Sequence, residues 1–294
     1  MLQGCIVALI TPMLESGEID YNAYEALLNW HLQAKTDAVL ILGTTGESPT
    51  ISDVERTKLI KIAADVLQSK KPLIVGTGIN DTNRAIQYTK EAKHLGADCA
   101  LVITPCYSRP EQAGLIAHYR AVAESVDMPI ILYNHPGRCG VDISPETMLI
   151  LAKTPNIIGI KEVHADQARI SQYAQSSESI NVYSGDDPSC LAALKLGAKG
   201  VFSVTANVFP DLMAEMIHAQ LANDEDKAKA IHDRLTKAYS QLFIESNPIP
   251  TKWAMAHLGL IKTGIRLPLT ALGRQYRAQL ESTIDEIQNE TIKI

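Results

Sequence analysis

A lysine closes the apolar run IIGIK at residues 157–161, where a strand buried on both faces is expected to stay oily. An ammonium at the tip of such a strand loses its hydration, so Lys161 is either neutralised or used. Two readings fit the position. The lysine pairs with Glu162 or another carboxylate, or it works as a neutral amine that attacks a carbonyl. Other reactive residue types gather in four short stretches: GTTGES (43–48), TPCYSRP (104–110), YNHPGRCG (133–140) and SGDD (184–187). Gly43 and Gly46 flank Thr44 and Thr45, an arrangement that either cradles an anion on backbone N–H groups or makes a capped tight turn. Asp186 and Asp187 hint at a metal, but paired acids at a strand end more often cap a helix or wall a pocket.

Each of these stretches follows a short apolar segment. CIVALI (5–10), AVLIL (38–42), PLIVG (72–76), CALVI (99–103), PIILY (129–133), IIGIK (157–161), INVYS (180–184) and GVFSV (200–204) are apolar at consecutive positions, as strands covered on both faces should be. Between them lie amphipathic helical stretches such as 20–33, 52–67 and 82–96, which open on Asp20, Ser52 and Thr82; the last closes on Gly96. Eight strand and helix units predict an α/β fold, a (β/α)8 TIM barrel spanning residues 1–224. A doubly wound open sheet is the alternative, and the lack of a G-x-G-x-x-G after the first strand counts against it. Past residue 225 the strands stop; 224–243 and 270–288 read as helices, so residues 225–294 are expected to form a small helical appendage. In a barrel the chemistry belongs at the carboxyl ends of the strands, and all of the stretches above fall there.

Composition narrows the partners. With 294 residues, 46% hydrophobic and 20% charged, the chain can bury a large core. A net charge of -6 without any basic tract argues against nucleic acid and for a small metabolite. No apolar run reaches the roughly 20 residues of a membrane span, and the first residues lack the marks of a signal peptide, so a cytoplasmic location is expected. Five cysteines without a C-x-x-C pair are expected to be reduced thiols, not zinc ligands.

GTTGE, YNHPGR, GIKE, SGDD and SVTAN, in this order and spacing, make the chain resemble the dihydrodipicolinate synthase family. That family belongs to the pyruvate-dependent class I aldolase superfamily, with N-acetylneuraminate lyase among its members. The likeness runs through nearly the whole chain, including NPIPTKWAMAHLGL at 247–260. It implies condensation of pyruvate with L-aspartate 4-semialdehyde, in lysine and diaminopimelate biosynthesis, with no metal and no cofactor. It also implies roles. Lys161 forms the Schiff base; Tyr133, Thr44 and Tyr107 relay protons, Tyr107 from a neighbouring subunit of a homotetramer built as a dimer of dimers. Thr45 holds the pyruvate carboxylate and Arg138 the semialdehyde carboxylate, while Gly185 and Ser203 shape the pocket. The rivals are N-acetylneuraminate lyase, a 2-keto-3-deoxy sugar acid aldolase, and a non-catalytic pyruvate-binding barrel.

The chain departs from feedback-inhibited relatives. Ser48 and Asn80 match their lysine-binding crevice, but Asp53 and Arg56 stand where histidines sit, Arg84 where a glutamate sits, and Cys106 where an aromatic sits. An arginine facing a ligand ammonium repels it, so weak or absent inhibition by L-lysine is expected.

Overall fold

The computed structural model describes residues 2–164, 166–176 and 180–292, with side chains to residue 289; residues 1 and 293–294, at the ends of the two expected regions, lie outside the described residues. Eight strands, β1 (Gly4–Ala8), β2 (Ala38–Ile41), β3 (Leu73–Gly76), β4 (Cys99–Ile103), β5 (Ile130–Asn134), β6 (Ile157–Glu162), β7 (Asn181–Ser184) and β8 (Gly200–Ser203), pair in sequence order and close into a barrel. Each pairs in parallel with its two neighbours, β1 with β8 included. All eight lie within the apolar segments read from the sequence or within a residue of them. The open-sheet alternative is thereby excluded.

Strand alternation sorts the apolar side chains into two cores. Ile6, Leu40, Ile74, Leu101, Ile131, Tyr133, Tyr183 and Phe202 fill the barrel. Val7, Val39, Val75, Val102, Leu132, Ile160 and Val182 point outward to the helical layer. Consecutive apolar residues are therefore a requirement of the architecture, since both faces of every strand are covered.

The helices Tyr21–Gln33, Asp53–Leu67, Thr82–His94, Gln112–Glu124, Pro145–Leu151, Ala168–Ser176, Cys190–Lys195 and Pro210–Leu221 follow the strands in turn. Asp20 caps the first, accepting from the Ala23 N–H at 3.0 Å. Ser52 and Glu55 form a reciprocal capping box on the second. The third is capped by Asp81, not Thr82: the carboxylate accepts from the N–H groups of Asn83 and Arg84. Thr82 Oγ1 is occupied with His118 Nδ1 at 2.9 Å. Past residue 225 come Glu225–Gln241, Ile249–His257 and Arg274–Ile292. The last begins four residues later than the sequence suggested, after Gly273; the Leu272 carbonyl accepts from the Arg277 guanidinium. The middle one was hidden by its prolines, yet Pro250 lies in the first turn, where a missing N–H costs no hydrogen bond. Leu235, Tyr239, Met255, Leu280 and Ile284 from these helices join the same buried cluster as the barrel's outer layer.

Among the described residues no helix is long and apolar enough to cross a membrane.

Candidate active site

At the carboxyl end of the barrel, Tyr133 on β5 and Lys161 on β6 are register partners. Both are 5% exposed. The Lys161 Nζ stands 4.1 Å from the centroid of the Tyr133 ring and 5.2 Å from that of Phe202. Burial pushes the amine down to a pKa of about 7, opposed by the negative charge of Asp187 and assisted by the positive charge of Arg138. Near neutral pH about half of such an amine is unprotonated, against ~0.04% for a lysine of ordinary pKa. The carboxylate next to it in sequence does not neutralise it. Strand alternation turns Glu162 to the outer face, where Asn134 Nδ2 donates to both of its oxygens at 3.0 and 3.2 Å.

The Tyr133 phenol is pushed up to about 12 by burial, while hydrogen bonding with Thr44 and the charge of Arg138 pull it back. A phenol kept protonated yet bonded to a neighbouring hydroxyl is suited to passing a proton. Thr44 is half-buried in the turn after β2. Thr45 is buried, and its hydroxyl accepts from Asn247 Nδ2 at 2.9 Å, which leaves its own hydrogen to donate elsewhere. Glu47, with φ at 56°, is held in the left-handed region. Its carboxylate accepts from Lys252 Nζ at 2.5 Å and from the Arg266 N–H at 3.3 Å, and the lysine and glutamate side chains are 4% and 1% exposed. Asn247, Lys252 and Arg266 thus pin the GTTGE turn from the C-terminal helical region. No sequence reading singled them out, because partners some two hundred positions apart leave no local pattern; the only signal was the NPIPTKW stretch.

Arg138 sits on the one-turn helix Pro136–Cys139 after β5 and is exposed. Its charge is felt across the site, lowering the pKa of Lys161, Tyr133 and His135. Gly185, just past β7, leaves room for the lysine: a Cβ there would lie 2.5 Å from Lys161 Cε and 2.5 Å from Val163 Cγ2. Ser203 is fully buried, and its Oγ accepts from the Ala206 N–H at 2.9 Å. Asp186 accepts from the Ser189 N–H and hydroxyl. Asp187 takes the Val204 and Thr205 N–H groups and the Thr205 hydroxyl on one oxygen. Its other oxygen is buried without a partner, and burial raises its pKa. Asp187 is the acid whose charge reaches Lys161, a contribution that a pair of acids in sequence did not disclose. Tyr107 stands apart. It is 95% exposed, on a left-handed backbone with φ at 66°, and within one chain it does not join the buried group of Lys161, Tyr133 and Thr44.

The closed parallel barrel, with these groups gathered at the carboxyl ends of its strands, places the chain among the (β/α)8 barrel enzymes. The sequence model of the Dihydrodipicolinate synthetase family matches residues 1–287. A 4-hydroxy-tetrahydrodipicolinate synthase from Nitrosospira multiformis is 47% identical over 286 residues, 97% of this chain and 95% of that relative. One from Coxiella burnetii is 44% identical over 287 residues, 98% of this chain and 99% of that relative. Among solved structures, the chloride-inhibited dihydrodipicolinate synthase from Acinetobacter baumannii, complexed with pyruvate, superposes with a TM-score of 0.96 at 46% identity, covering 98% of this chain and 99% of that one. The chain belongs to the dihydrodipicolinate synthetase family.

Proposed function

We propose that this protein condenses pyruvate with L-aspartate 4-semialdehyde to 4-hydroxy-tetrahydrodipicolinate through a Schiff base on Lys161. The observation that carries this reading is the buried amine, brought to a pKa of about 7 at the strand end beside Tyr133. The Lys161 amine attacks the ketone of pyruvate and expels water, giving an imine. The imine draws electrons from the adjacent methyl group, which loses a proton to become an enamine; the enamine carbon then attacks the aldehyde, whose oxygen takes a proton to become the 4-hydroxyl. The semialdehyde's own amine attacks the restored imine carbon, closing the ring and releasing Lys161 as the free amine. Tyr133 and Thr44 carry protons between imine and aldehyde oxygen. Thr45 receives the pyruvate carboxylate, and Arg138 the semialdehyde carboxylate in a charge-assisted fork. Gly185 and Ser203 wall the pocket. The pyruvate complex of the Acinetobacter baumannii relative supports the first substrate. An arginine at position 138 favours an anionic aldehyde over the neutral sugar of a sialic acid lyase. The test is turnover of the two substrates, with sodium borohydride and pyruvate as a second arm; one pyruvyl unit per chain on Lys161 is the expected result. An adduct on another lysine, or none, sinks the mechanism.

Tyr107 belongs to the same proposal. A tyrosine 95% exposed at the mouth of the barrel is supplied to the neighbouring subunit's site, in a homotetramer assembled as a dimer of dimers. A cytoplasmic location goes with this reading.

Weak or absent inhibition by L-lysine is a further part of it. Arg56 is 3% exposed and donates to the Gly76 carbonyl at 2.8 Å and to Ser48 Oγ at 3.2 Å, its guanidinium 4.1 Å from the centroid of the Tyr88 ring. Arg84 donates to Asp53 at 3.1 Å and to Tyr88 at 2.7 Å. Asn80 accepts from the Cys106 N–H at 2.9 Å. Ser48, Asp53 and Asn80, the groups suited to a ligand ammonium, already have partners within the chain. Activity at saturating semialdehyde should therefore stay within about twofold of its starting value in millimolar L-lysine. Strong partial inhibition would show that the crevice still binds it.

A further inference from the structure

Asn134 and Glu162 are register partners on β5 and β6, one residue beyond the partners Tyr133 and Lys161. They face the opposite way, out of the barrel, and are 0% and 3% exposed. The mechanism uses neither. A buried carboxylate on the outer layer is costly, and an apolar residue of similar size would cost less. The polar groups are nonetheless tied into one assembly. Asn134 Nδ2 donates to both Glu162 oxygens and, at 2.8 Å, to Asp142; Asn134 Oδ1 accepts from the Ile143 N–H at 3.0 Å. Arg169 closes it with a bidentate pair to Asp142 at 2.8 and 2.6 Å. The Tyr173 hydroxyl is buried within the influence of Glu162, Arg169 and Asp142.

We infer that Asn134 and Glu162 are positioning residues, a cross-strand staple on the outer face that holds Tyr133 and Lys161 against each other on the inner face. The inference rests on the Schiff-base reading of Lys161. The backbone ladder ends here, with the Val163 N–H on the Asn134 carbonyl and the Gly185 N–H on the Glu162 carbonyl, each at 3.0 Å; the staple adds a side-chain link that fixes the peptide planes next to both working side chains. Misplacement by about 1 Å costs on the order of a hundredfold in rate, so a link that limits it even in part is worth its burial.

The test is a double-mutant cycle with Glu162→Leu and Asn134→Ala, read by the rate of pyruvate trapping on Lys161, by kcat against KM, and by thermal unfolding. Each single variant should slow trapping and kcat by about tenfold or more, with the KM for pyruvate changed less than about twofold, and the double variant should be no slower than the worse single. Glu162→Gln keeps a carbonyl oxygen for Asn134 and should recover most of the rate. Wild-type trapping in Glu162→Leu overturns the inference, as does a Glu162→Gln as slow as Glu162→Leu, or losses that multiply in the double variant. A rate loss explained entirely by the unfolded fraction also overturns it. If Glu162→Leu does not fold, Glu162→Ala paired with Asn134→Ser completes the cycle by the same criteria. Absence of trapping in the unaltered protein overturns the Schiff-base reading and the staple together, whereas normal trapping with unaffected variants overturns the staple alone.

Discussion

Lys161 is governed by three influences that can be separated by mutation. Burial lowers its pKa, Asp187 raises it and Arg138 lowers it. Only the neutral amine attacks a ketone, so the rate of borohydride trapping with pyruvate should rise as pH increases through about 7 and level off above. Asp187→Asn removes the influence that raises the pKa and should move this midpoint to lower pH. Arg138→Ala removes one that lowers it and should move the midpoint up. Equal midpoints in all three proteins would mean that neither charge reaches the amine. Gly185 sets the other constraint on the lysine. Its missing side chain leaves the space that Lys161 Cε occupies, since a Cβ would come within 2.5 Å. Gly185→Ala should therefore displace the amine and cut trapping by about a hundredfold, with a thermal-stability loss of only about 1–3 kcal/mol that leaves the chain folded. Unchanged trapping would show that the lysine adopts another rotamer at no kinetic cost.

The element to which the proposed mechanism assigns the pyruvate carboxylate is the turn after β2, and it is not self-supporting. Glu47 holds a left-handed backbone and a buried carboxylate, and the carboxylate is bound by Lys252 on the helix Ile249–His257 and by the Arg266 N–H in the loop that follows it. A buried ion pair adds little over a well-packed apolar pair, but breaking it leaves an uncompensated charge. Lys252→Met should accordingly cost about 3–5 kcal/mol in chemical denaturation, with Glu47→Gln in the same chain recovering part of it. A loss below ~1 kcal/mol would show that water reaches the carboxylate. The C-terminal region is thus part of the site's scaffold.

For the whole molecule, Tyr107 is the residue that the proposed mechanism assigns to assembly. Within one chain its ring is solvated, and φ at 66° holds a bulky residue in a conformation such residues rarely take. Supplied across a subunit interface, as proposed, it would make each site composite. Lys161→Ala and Tyr107→Phe chains, refolded together, should then show activity above either alone, because a mixed dimer regenerates one complete site. Mixtures no more active than the better parent would confine Tyr107 to its own chain or remove it from the relay.

The sequence by itself determined the barrel and where on it the candidate site residues stand. Covering both faces of a strand demands consecutive apolar residues, a pattern that is local and countable, and the reactive stretches had to follow those strands because a parallel barrel exposes its carboxyl ends on one rim. Lys161 was conspicuous for the same reason, as a charge at the end of such a run. The tertiary structure decided what depends on distance through space. Which carboxylate faces Lys161 was open in the sequence; strand alternation sends adjacent Glu162 outward, and barrel closure brings Asp187 into range instead. The support of Thr45 and Glu47 by Asn247 and Lys252 was invisible for a related cause: a hydrogen bond between residues 202 or 205 positions apart leaves no periodicity to read, and exists only once the helices have packed back onto the barrel.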